Sequence, residues 1–142
     1  MKKVIWIFGS NTLGKHGAGA AAYAMKHKGA IWGQGEGLQG ESYALPTKGA
    51  RIQCMPLSWI KKHVDKFIQF ATEHYDEYEF DLTKVGTNLA GHTEKDIAPL
   101  FINTPRNVWL IDDNGIRVCL ACHWNTKITY NPDVKIISEL FE

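Results

Sequence analysis

The sequence predicts an α/β fold with a largely parallel sheet, and three observations predict it. Residues 4–25 run from an apolar stretch through a glycine-rich loop into an alanine-rich stretch. Residues 78–101 repeat that order, with a second loop of small residues between strand and helix. Between the two, residues 56–73 carry one apolar stripe at helical spacing. Strand patterns alternating with helical ones mark parallel strands joined by crossover helices. At 142 residues the chain is long enough to bury a core and reads as one domain, 1–142.

The first strand is Val4-Ile5-Trp6-Ile7-Phe8, short, β-branched and aromatic, as a buried strand is. It breaks at Gly9-Ser10-Asn11, and Gly14, Gly17 and Gly19 follow before the helix that opens at Ala20 and ends near Lys28-Gly29. Glycines let backbone approach a ligand, and a helix start offers unpaired N–H groups and a favourable dipole. The plainer alternative is a tight strand-to-helix turn with a closely packed helix. Residues 33–40 hold four further glycines, which reads as a surface segment, either flexible and able to fold over a ligand or merely connecting. Ser42-Tyr43-Ala44-Leu45 is a short strand, stopped by Pro46.

Pro56, Leu57 and Ser58 suit the first turn of a helix. Ile60, Val64, Phe67, Ile68 and Ala71 form its buried stripe, and Lys61, Lys62, Asp65, Lys66, Gln69 and Glu73 face water. Residues 78–85 are the next strand and lead into Gly86-Thr87-Asn88-Leu89-Ala90-Gly91-His92. Thr93 with Asp96 three residues later starts a helix as a capping box, Asp standing for the usual Glu or Gln, and Ile97, Ala98, Leu100 and Phe101 give it a buried side. Residues 107–111 are another strand. Residues 116–121, 127–130 and 134–141 complete the chain, the first two as strands and the last as a strand or terminal helix. In a largely parallel sheet both small-residue loops fall at the C-terminal edge of the strands, where ligands bind.

Composition narrows the function classes. A net charge of +1 leaves no electrostatic footprint for nucleic acid. Lys2 and Lys3 precede only five apolar residues, too few for a signal sequence, and no run reaches membrane-span length, so the chain reads as cytoplasmic with Cys54, Cys119 and Cys122 reduced.

Two motifs invite other readings. Gly9-Ser10-Asn11-Thr12-Leu13-Gly14-Lys15-His16 nearly spells a phosphate-binding P-loop, with residues 108–112 as the apolar strand ending in Asp that often accompanies one. His16 stands where a Ser or Thr hydroxyl should meet Mg²⁺, and an imidazole is a poor ligand for a hard cation. Cys119-Leu120-Ala121-Cys122-His123 matches the haem-attachment signature, which normally accompanies export. On a strand its two cysteines point to opposite faces, and no second close-spaced pair completes a zinc site with Cys54. The cysteines therefore read as buried or half-buried thiols, with no metal and no cofactor.

Taken together, Phe8-Gly9-Ser10-Asn11, His16-Gly17-Ala18-Gly19-Ala20-Ala21, Gly40, Tyr43-Ala44-Leu45-Pro46-Thr47-Lys48 and Val85-Gly86-Thr87-Asn88-Leu89-Ala90-Gly91 resemble the macrodomain superfamily, and most closely its small bacterial and phage members. The resemblance implies a three-layer α/β/α sandwich with a mixed sheet. It implies ADP-ribose or a related nucleotide as ligand, ADP-ribosylated protein or nucleic acid as the partner carrying it, and no membrane. Asn11 matches the residue that reads the distal ribose, Gly17, Ala18 and Gly19 the first loop, and Thr87, Asn88, Leu89, Ala90 and Gly91 the loop around the diphosphate, with Gly14 in the same glycine set. An asparagine amide can donate to one hydroxyl and accept from another, and backbone N–H groups hold phosphate without a basic protein. In the branch typified by the terminal ADP-ribose protein glycohydrolase, a lysine and an aspartate catalyse hydrolysis. Lys48 matches the lysine, Ala90 stands in place of the aspartate, and His92 is the nearest titratable group in that loop. A non-catalytic nucleotide-binding module is the alternative, and a degenerate P-loop phosphate binder the third.

Overall fold

The computed structural model describes residues 2–87 and 90–124. The expected strands at 127–130 and 134–141, and the loop residues Asn88 and Leu89, lie outside these. The elements are β1 (Lys3–Asn11), α1 (Gly19–His27), β2 (Gly37–Gln39), β3 (Ser42–Lys48), α2 (Leu57–Glu73), β4 (Tyr78–Leu82), α3 (Glu94–Ile97) running into a 3-10 turn (Ala98–Phe101), β5 (Val108–Ile111), β6 (Arg117–Val118) and α4 (Leu120–Trp124). They build an α/β fold around a mixed six-stranded sheet of order β2-β3-β1-β4-β5-β6. The central strands β3, β1, β4 and β5 are parallel, and the short β2 and β6 pair antiparallel at the edges.

Side chains alternate across the strands, and so does the core. Ile5, Ile7, Tyr43 and Leu45 join one apolar cluster with Ile60, Val64, Phe67 and Ala71 of α2, and with Phe101, Leu120 and Trp124. Phe8 and Ala44 join another with Ala21 and Ala24 of α1. Alanines on α1 let that helix lie close against β1, which brings its first turn to the sheet's C-terminal edge. Among the described residues, no helix is long and apolar enough to cross a membrane.

Helix α2 follows its stripe, with Pro56 at the N-cap. The capping box forms as both of its bonds: Thr93 Oγ1 accepts from the Asp96 N–H at 3.2 Å, and Asp96 Oδ2 accepts from the Thr93 N–H at 3.4 Å.

Several segments differ from the sequence reading: β1 does not break at Gly9 but runs on to Asn11, and β4 ends at Leu82 rather than Val85. β3 does not stop at Pro46 but runs through it to Lys48. β2 pairs only as far as Ala44, and the outer edge of β3 is next paired where Lys48 bridges to Cys54, so Pro46 has no strand opposite it. The β1–β3 register also slips there, Ser10 pairing with Pro46 and Asn11 with Lys48. A residue without an N–H is tolerated at such an edge and bulge. The glycine-dense segment 33–40 is packed scaffold: the Gly33 N–H donates to the Gly14 carbonyl at 2.9 Å, and Gln39 is buried. Finally, the strand expected at 116–121 ends at Val118, and Leu120–Trp124 is helical.

Candidate functional site

The parallel strands end around one cleft of about 410 Å³ that continues into a second lobe of about 280 Å³, the two sharing Gly9, Ala18, Ala21, Thr47 and Lys48. Each lobe is close to or within the size range of small-molecule sites. Its wall is assembled from the C-terminal ends of β1, β3, β4 and β5, the edge at which open α/β sheets bind ligands.

The first turn of α1 faces this cleft, and Ala18, Gly19, Ala20 and Ala21 line it. Ala18 takes the N-cap position without a side-chain bond. The first backbone bond of the helix runs from the Ala22 N–H to the Ala18 carbonyl at 3.3 Å, which leaves the N–H groups of Gly19, Ala20 and Ala21 without an intrahelical partner. Gly19 holds φ +57°, a left-handed conformation that suits glycine, and nothing lies within 4 Å of the Cβ position at Gly17 or Gly19. The loop around this helix start is thus open and unfilled.

Beneath it, Gly9 is close to the floor: a Cβ there would stand 3.2 Å from Thr47 Oγ1. Lys48 closes β3 and lines both lobes, half-buried, and its ammonium makes no hydrogen bond or ion pair among the described residues. Lys15 lines the second lobe. Opposite, Thr83, Lys84, Val85, Gly86, Thr87 and Ala90 form the β4 side, and Ile111, Asp112 and Asp113 the β5 side.

These last two sides brace one another. Lys84 Nζ donates to Asp113 at 2.7 Å and to Glu94 at 3.1 Å. The Asp113 hydrogen bond, with Glu94 behind it, raises the Lys84 pKa, so this cation is spoken for. Glu94 also accepts from the Trp124 indole at 3.0 Å, and that bond followed by Lys84 lowers its pKa. Asp112 Oδ1 accepts from the N–H groups of Asn114 and Ile116, both at 2.9 Å, and so shapes the turn before β6.

The structure brings Gly17, Ala18, Gly19, Lys48, Thr87 and Ala90 to the cleft. Asn11 also borders it, but its amide is engaged with backbone: Nδ2 donates to the Lys15 carbonyl at 3.0 Å and Oδ1 accepts from the Lys15 N–H at 2.9 Å. That leaves one N–H and one lone pair for a ligand. Gly14 does not line the cleft; it holds φ +69° with Gln34 N 2.4 Å from its Cβ position. Gly91 turns the other way as well, its Cβ position 2.8 Å from Cys54 Sγ.

His92 does not line the cleft, although it lies beside Cys54, which bridges to Lys48. Its Nε2 lies 2.7 Å from the Met55 carbonyl oxygen, to which it donates, and 3.6 Å from Cys54 Sγ. His16, the misfit of the P-loop reading, is buried in loop packing, edge-on to Phe8, with Nε2 3.0 Å from the Gln34 carbonyl. Sequence reasoning missed Thr47, Thr83, Lys84, Asp112 and Asp113 as cleft residues. Their position at or just past strand ends on the same edge as the two loops was the available signal.

No family model, no curated protein and no solved structure matches this chain.

Proposed function

We propose that the protein binds ADP-ribose or a related nucleotide in this cleft, as a macrodomain-like module with a three-layer α/β/α build. One observation carries the reading: the unfilled first turn of α1 opens onto a cleft of small residues at the C-terminal edge of the parallel strands. A diphosphate fits that chemistry. The free N–H groups of Gly19, Ala20 and Ala21 and the helix dipole favour an anion there. Lys48 and Lys15 supply cations that no carboxylate among the described residues neutralises. The Gly9 floor and the open Gly17–Gly19 segment admit ligand backbone-close. The layering is supported by the two apolar clusters that divide alternate strand residues between them.

Binding without turnover is the favoured form. Hydrolysis through Lys48 needs a neutral amine to attack the anomeric carbon and a second group to move the proton. Ala90 cannot do so, and His92, its Nε2 bonded to the Met55 carbonyl, is not among the residues that line the cleft. Lys48 itself, half-buried on the cleft wall, is what supports hydrolysis as the second reading.

The test is calorimetry with ADP-ribose, NAD, ATP and GTP, with and without Mg²⁺. ADP-ribose binding without metal is expected, and a hundredfold excess over Kd adds about 2.7 kcal/mol of stability. A response to ATP only, and only with Mg²⁺, would sink the reading in favour of a phosphate-binding loop. Incubation with ADP-ribosylated protein separates the two forms: release by wild type that is lost in Lys48→Ala establishes the hydrolase.

A further inference from the structure

Cys119 and Cys122 stand apart from the cleft and have no part in the nucleotide reading. The helical end of the chain's described part changes what they can do. The His123 N–H donates to the Cys119 carbonyl at 3.0 Å, so the first turn of α4 closes on Cys119 and makes it the N-cap, with Cys122 at the third helical position. Side chains at these two positions are neighbours over the first turn, as i,i+3 residues are. Neither thiol is locked away: Cys119 is half-buried and Cys122 exposed.

The pair is also polarised. The neighbouring Cys122 thiol, with the backbone at the start of α4 and Arg106 behind it, lowers the Cys119 pKa, and Cys119 raises that of Cys122. A disulfide needs Cβ atoms about 3.5–4.5 Å apart, and helical i,i+3 neighbours stand about 5–6 Å apart. Cys119 lies outside the helix proper, where a small backbone adjustment closes that difference. No group of three or more metal-ligating side chains gathers here among the described residues.

We propose that Cys119 and Cys122 form a dithiol redox site that exchanges with small disulfides, Cys119 attacking and Cys122 resolving. In the first step the Cys119 thiolate attacks one sulfur of a disulfide RSSR, forming a Cys119–SR mixed disulfide and releasing RS⁻. In the second, Cys122 loses its proton, attacks the Cys119 sulfur and releases the other RS⁻. The two protein thiols are oxidised by two electrons, RSSR is reduced to two RSH, and two protons pass from cysteines to the leaving thiolates.

The experiment uses the full chain carrying Cys54→Ser, with oxidised glutathione as the probe, alkylation of remaining thiols and mass spectrometry. An internal Cys119–Cys122 disulfide is expected, formed about threefold or more faster in the folded protein than in urea, because the helix turn presets the pair. Equal rates in the two states, or glutathione on both cysteines with no internal bond, would overturn the site. Adding Cys122→Ser should stall the reaction as a stable adduct on Cys119. That adduct should form roughly threefold or more faster than the Cys122 adduct of the Cys119→Ser protein. Equal rates for the two would overturn the assignment of Cys119 as the attacking thiol. Circular dichroism of each variant establishes that it is folded.

Discussion

Two glycine-rich stretches lie side by side in this molecule and do opposite things. In residues 14–19 the backbone around Gly17 and Gly19 faces empty space, with nothing within 4 Å of either Cβ position. In residues 33–40 the space at Gly35 and Gly40 is full. A Cβ at Gly35 would stand 2.4 Å from the Asn11 carbonyl oxygen and 2.5 Å from that of Thr12. Ser10 Oγ donates to the Gly35 carbonyl, and Glu36 reaches His63 and Lys66 of α2 at 2.5 and 3.1 Å. One stretch uses glycine to leave room for something else, and the other uses it to bring two loops into contact. Gly14 belongs by sequence to the first stretch and by function to the second, since it is where the loops meet.

The largest effect should come from Gly14→Ala. It adds left-handed strain of about 1–2 kcal/mol to an overpacking cost of about 1–3 kcal/mol. Urea unfolding should show a loss of about 3 kcal/mol, and a neutral result would mean that the two loops are not packed as described. Gly35→Ala has only the steric part and should lose about 1–3 kcal/mol by the same measurement.

Gly19→Leu should lose about 1–2 kcal/mol of stability, because its φ of +57° is unfavourable for leucine although the space is open. It should also abolish ADP-ribose binding, as the new side chain fills the approach to the helix start. Gly17→Leu sharpens the comparison further. With no clash and no positive φ at that position, its stability should stay within about 0.5 kcal/mol of wild type, while calorimetry shows binding weakened tenfold or more. Binding that survives intact would make the first stretch a turn like any other.

The smallest effect belongs to a charge at the meeting of the two lobes. Lys48→Ala should weaken ADP-ribose binding by about tenfold, or about 1.4 kcal/mol, and flatten its dependence on salt. An unchanged salt profile would show that Lys48 does not face the bound anion.

Features that depend on the chain's own period were legible in the sequence. The α2 stripe, the Thr93–Asp96 box and the order of strand, small loop and helix all report local geometry, which a run of residues carries with it wherever it packs. Through the parallel-sheet rule, that order also put both small loops on one edge. The site was legible to the same depth: the loops were in the sequence, but not the direction in which each residue looks.

Direction was decided by neighbours distant in the chain. Whether Gly14 meets a ligand or a loop depends on Gln34, and the Gly91 backbone packs against Cys54. The His92 Nε2 is taken by a carbonyl 37 residues away. Pro46 continues a strand because β2 is too short to need its N–H. Cys119 and Cys122 share a helical turn because the strand before them ends after two residues, at Val118. By itself, the sequence determined the α/β order and the edge at which its small loops gather, since helix and strand periods are properties of adjacent residues. Only the tertiary structure decided which glycines face open space and which side chains are already engaged, because burial and hydrogen bonding are settled by what lies across the gap.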